Sequence, residues 1–102
     1  MAIELKQALK ELNVTLLTSD NETLSLNSNY VYIQVTAGAT PKTITLPDPT
    51  LSDTRIISIT KSDSGIGSVI VSGLINGESS LTLAHKNDNA PLRSNGIEWR
   101  LL

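Results

Sequence analysis

From residue 14 onward, apolar residues fill every second position in one short run after another. This period of two constrains the fold more than any other feature of the chain. Val31, Ile33 and Val35 alternate with Tyr30, Tyr32, Gln34 and Thr36, and Ile44 and Leu46 with Thr43 and Thr45. Ile57 and Ile59 alternate with Ser58 and Thr60, Val69 and Val71 with Ile70 and Ser72, and Leu81 and Leu83 flank Thr82. Ile97, Trp99 and Leu101 close the series. Such alternation marks strands with one buried and one exposed face, and threonine at the polar positions suits a pleated surface. The expected core is therefore Ile57, Ile59, Val69, Val71, Leu81, Leu83, Ile97 and Trp99.

Turn chemistry separates the runs. Asn76-Gly77 and Asn95-Gly96 predict tight two-residue hairpins, because both central positions of a type I′ turn need positive φ. Pro47-Asp48-Pro49 cannot lie in a central strand. Asp63-Ser64-Gly65 and residues 87–91 read as loops. Short strands at this spacing predict a mainly β fold, a small antiparallel β-sandwich or barrel.

Residues 1–13 carry a different period. Leu5, Ala8, Leu9 and Leu12 recur at helical spacing and predict a short N-terminal α-helix. A helix of about three turns is marginal in water, so its leucine stripe must dock. Leu5, Leu9 and Leu12 are the candidate docking residues, toward this chain's own β core or toward a neighbouring subunit or particle. The chain divides into a helical arm, 1–13, and a single β domain, 14–102, as its length suggests.

Aromatic residues make up 3% of the chain, and there are no cysteines and one histidine. A small domain with a thin core, no disulfide and no zinc ligand set gains stability most readily by oligomerising. The net charge is −2 without a Lys/Arg cluster, which argues against a nucleic-acid partner. No apolar run approaches a membrane span, and the first residues lack the uninterrupted apolar stretch of a signal peptide.

Little chemistry is legible. His85 has no nucleophile signature near it and is expected to be exposed or to anchor a loop. Asp48, Asp53, Asp63, Glu78 and Asp88 fall in or near loops, where carboxylates usually cap turns. Asp63-Ser64-Gly65 and Asn87-Asp88-Asn89 come nearest to a cation loop, and neither completes one. The reading is of a protein that is not an enzyme and needs no cofactor. Trp99 is in phase with the core, with a ligand platform as the alternative. Tyr30 and Tyr32 lie on the opposite strand face from Val31 and Ile33 and are the candidate interface residues.

Residues 43–101 carry a resemblance. The pieces are Leu46-Pro47, Ile57-Ser58-Ile59, Val69-Ile70-Val71, Ile75-Asn76-Gly77, Leu81-Thr82-Leu83 and Asn95-Gly96-Ile97-Glu98-Trp99. In this order they resemble a segment of bacteriophage virion proteins: tail fibres, tailspikes and head-associated fibres. The resemblance implies a trimeric β domain in the virion, assembled in the host cytoplasm. The brevity of the chain beside long fibres favours a capsid decoration or head-fibre subunit. Such a subunit would bind the outer shell through the major capsid protein or another virion protein, and would stabilise or ornament it. The alternative is a tail-fibre or tail adaptor domain that binds the host surface or another tail protein.

Overall fold

The computed structural model describes residues 14–18, 20–24, 32–52 and 55–102. The alternating runs within them become nine strands: β1 (Val14–Leu17), β2 (Asn21–Thr23), β3 (Tyr32–Val35), β4 (Lys42–Thr45), β5 (Ile56–Lys61), β6 (Val69–Ile75), β7 (Glu78–Leu83), β8 (Asn89–Ser94) and β9 (Trp99–Leu101). The fold is mainly β, one curled half-barrel sheet in the order β1-β3-β5-β8-β9-β6-β4-β2, with β7 paired to β6. The arm at 1–13, with Leu5, Leu9 and Leu12, lies outside the described residues, as does Tyr30.

The expected antiparallel pairing is corrected. β1, β3 and β5 run parallel to one another, as do β2, β4 and β6, and β6 meets β9 in parallel at Ile75 and Trp99. Only β5–β8, β6–β7 and β8–β9 are antiparallel. Alternation specifies which face a residue occupies and carries no information about strand direction. The first six strands fall in turn on one half of the sheet and then the other. From β3 to β6 each lies beside the strand two before it, so the chain winds as a coil.

The two halves enclose one core. Ile33, Val35, Ile57, Ile59, Ala90 and Leu92 come from one side. Ile44, Val69, Val71, Ile75 and Leu83 come from the other, and Trp99 joins them. Full burial of each large aliphatic side chain contributes roughly 1.5–3 kcal/mol. Of the expected core, Ile57, Ile59, Val69, Val71, Leu83 and Trp99 are buried, and Leu81 is half-buried against the cluster.

Ile97 is the exception: it is 69% exposed. The Asn95 side-chain oxygen accepts from the N–H groups of both Ile97 and Glu98. This lengthens the turn, so that β8 and β9 first pair at Ser94 and Trp99. Asn95-Gly96 is thus no two-residue hairpin, and Ile97 sits at the loop tip. Asn76-Gly77 does form the predicted turn, with φ of 49° and 85°.

Residues 89–91, expected in a loop, open β8 instead. The bond from the Ser94 N–H to the Arg55 carbonyl fixes the phase of the β5–β8 ladder. In that phase the Pro91 nitrogen points away from β5, so its missing N–H costs that ladder nothing.

Candidate functional site

Three connections stack on one side of the coil: those between β1 and β2, β3 and β4, and β5 and β6. Lys42 ties the first two together, and Asp63, anchored by Lys61, ties the second to the third. Lys42 is in phase with Ile44 and is almost fully buried. Its ammonium donates to the Asp20 carboxylate at 2.6 Å and to Thr40 Oγ1 at 3.1 Å. Lys61 is in phase with Ile57 and Ile59 and is 0% exposed. Its Nζ donates to the Asp63 carbonyl at 2.8 Å, Asp63 Oδ1 at 3.0 Å and the Gly65 carbonyl at 2.9 Å. All three ammonium donors are therefore used.

The Asp63 carboxylate accepts in turn from the N–H groups of Ala37, Gly38 and Gly65. The loops then approach closely: the Gly67 N–H donates to the Gly38 carbonyl at 2.9 Å. A Cβ on Gly67 would lie 2.2 Å from the Thr40 carbonyl oxygen, so only glycine fits there. This corner is a structural clamp. Its carboxylate is held by N–H donors, an arrangement opposite to that of a cation site.

The N–H groups of Ala37 and Gly38, then the Lys61 ammonium, hold the Asp63 carboxyl well below the usual carboxylate range. An unfolded aspartate titrates near about 3.9. The stabilisation is therefore complete above that pH and drains away as pH falls below it. Melting temperature should fall between about pH 4 and pH 2 in the native protein. Asp63→Asn should show a shallower fall over the same range. Equal slopes would exclude Asp63 as the acid-sensitive group.

The second loop fragment is also self-anchored. Asp88 accepts from the N–H groups of His85 and Ala84, which lower its carboxyl's pKa. His85 is 86% exposed at its side chain, with Nδ1 3.6 Å from Asp88. Among the described residues no three His, Cys, Asp or Glu side chains gather as a metal-ligand set. Asp48 caps the 3-10 turn Pro49–Leu51 through the Thr50 N–H and hydroxyl. Asp53 lies outside the described residues.

The remaining candidate is the outer face of β3, β5, β8 and β9. Tyr32 is 43% exposed and stands opposite Ser58, which stands opposite Pro91. Ile56, 44% exposed, is on the same face of β5 and opposite Arg93, which is opposite Arg100 on β9. An open groove of about 360 Å³ runs along β8 and β9, lined by Arg93, Ser94, Asn95, Arg100 and Leu102. Tyr32, expected at an interface, thus joins an outer surface with Ile56. The two arginines escaped the sequence reading. The signal was available once the turn was placed, because residues equidistant from a hairpin turn face each other.

Comparison with family models, with curated proteins and with solved structures finds no match.

Proposed function

We propose that this chain is a non-enzymatic structural subunit of a bacteriophage particle. In this reading it decorates the outer capsid as a homotrimer and contacts the major capsid protein or another virion protein. The observation that carries the reading is the outer face on which Tyr32 and Ile56 both stand exposed, Tyr32 opposite Ser58 and Ile56 two residues before it on the same face of β5. An aromatic and a β-branched side chain held out on a rigid sheet suit a protein–protein contact. The resemblance of residues 43–101 to virion segments supports the same conclusion, as does the thin core of a small domain.

Light scattering on the purified protein should give about three times the 10.9 kDa chain mass. The Tyr32→Ser/Ile56→Ser double variant should remain folded and run as a monomer. A folded native monomer at micromolar concentration would refute the trimer. Labelled particles viewed by electron microscopy distinguish the shell from the tail: label on the capsid supports decoration, and label confined to the tail replaces it with the adaptor reading.

A further inference from the structure

We propose that the groove between β8 and β9 is an oxyanion-binding site, in which Arg93 and Arg100 together grip one carboxylate or phosphate group of a small ligand. This site shares the outer face with the proposed contact, Arg93 standing opposite Ile56, and does not rest on the virion reading.

The placement comes from the ladder. Arg93 and Arg100 are direct partners in the antiparallel β8–β9 pair. Their neighbours Leu92, Ser94 and Trp99 are buried, so both guanidinium groups project from the outer face. Directly opposed Cβ atoms lie about 4.5–5.5 Å apart, and like charges in that position repel. The repulsion is poorly answered within the protein. Arg100 reaches Glu98 at 3.4 Å, and among the described residues Arg93 has no carboxylate within ion-pair distance. Among the described residues Glu98 is thus the one side-chain carboxylate within ion-pair distance of either guanidinium, and it reaches Arg100 alone.

The other polar groups of the groove point to the same ligand chemistry. The Ser94 hydroxyl is occupied, donating to the Pro49 carbonyl and accepting from the Gly96 N–H. Asn95 spends its side-chain oxygen on the Ile97 and Glu98 N–H groups, which leaves its amide N–H donors available. Arginine offers five donors and no acceptor. Among the side chains of the groove the unspent polar groups are therefore donors, and their complement is a group that only accepts. Paired guanidinium forks suit planar carboxylate or tetrahedral phosphate. A volume of about 360 Å³ admits a single sugar acid or phosphorylated unit.

The test is a titration of the full ¹⁵N-labelled chain, following the Nε–Hε signals of the arginines by NMR. Inorganic phosphate and glucuronate are the two anionic probes, and glucose is the uncharged control. The expected result is saturable movement of the Arg93 and Arg100 signals with at least one anion and none with glucose. The tighter anion identifies the group preferred. Arg93→Gln and Arg100→Gln should each weaken binding about tenfold or more. Glu98→Gln should strengthen it, because the competing carboxylate is gone. Arg93→Lys keeps the charge and loses the fork, so it should also bind more weakly, and it serves if the glutamine variants fail to fold. Absence of saturation with both anions, an equal response to glucose, or unchanged affinity in the folded Arg93 variants would overturn the proposal.

Discussion

Trp99→Ala is expected to lower the unfolding free energy by about 3–5 kcal/mol. Trp99 is the largest of the fully buried side chains and is 0% exposed. It opens β9 at the point where that strand meets both Ser94 of β8 and Ile75 of β6. Its indole N–H donates to the Pro47 carbonyl at 3.0 Å, tying the end of β4 to the closing strand. Truncation to alanine therefore empties the core and strips a buried carbonyl of its donor at once. For a domain of about this size, each kcal/mol shifts the melting temperature by roughly 4–8 °C. Trp99→Phe retains most of the apolar area and loses the hydrogen bond, so its smaller loss sets an upper bound on the Pro47 contact. Thermal melts followed by circular dichroism read both variants. A melting temperature unchanged by Trp99→Ala would return the residue to the role of a ligand platform.

Lys61→Met should cost about 3 kcal/mol, the low end of what breaking a buried ion pair costs. The substitution fits the space and removes the desolvated ammonium, which limits the loss. It also leaves the Asp63 and Gly65 carbonyl oxygens without the donors they now have, which is the dominant penalty. Asp63 keeps the N–H groups of Ala37, Gly38 and Gly65, so its charge is only partly uncompensated. In the double variant with Asp63→Asn the losses should sum to less than the two singles, because both disrupt one network. Urea denaturation gives the three values. Strict additivity would show that the two side chains act separately.

The alternation that revealed the strands also contained these lysines. Lys61 follows Ile57 and Ile59 at the same spacing, and Lys42 precedes Ile44. The period thus pointed both side chains inward, although a charged residue at the end of a run reads naturally as its solvent-exposed limit. Burial was feasible because each lysine has a carboxylate: Asp63 lies two residues beyond Lys61, while Asp20 comes from a loop that sequence alone does not bring beside Lys42. Strand direction was hidden for a related reason, since parallel and antiparallel partners share one alternation. Pro91 disguised the start of β8: its harmlessness depends on which way its nitrogen faces in a ladder that alternation does not phase. Asn95 misled in the opposite sense, because its side chain builds a longer turn than the Asn-Gly pair announces. Of the outer face, Tyr32 could be placed by phase alone, while the Arg93–Arg100 pair required the true turn length.

The strand order also sets a sequence of assembly. Among the described strands, β1, β3 and β5 share no ladder with β2, β4 and β6, and the two stacks are joined only through β8 and β9. As the polypeptide leaves the ribosome, the first six strands can collect into two half-walls that share no strand ladder and meet at the clamped corner. Their apolar faces remain unsealed until residues 89–101 arrive. The segment that bridges the walls also delivers Trp99, the plug of the interior, so closure and filling happen in one late event. Such distant partnering places the chain among slow folders and leaves a nascent form whose loose walls a neighbouring chain could occupy in error.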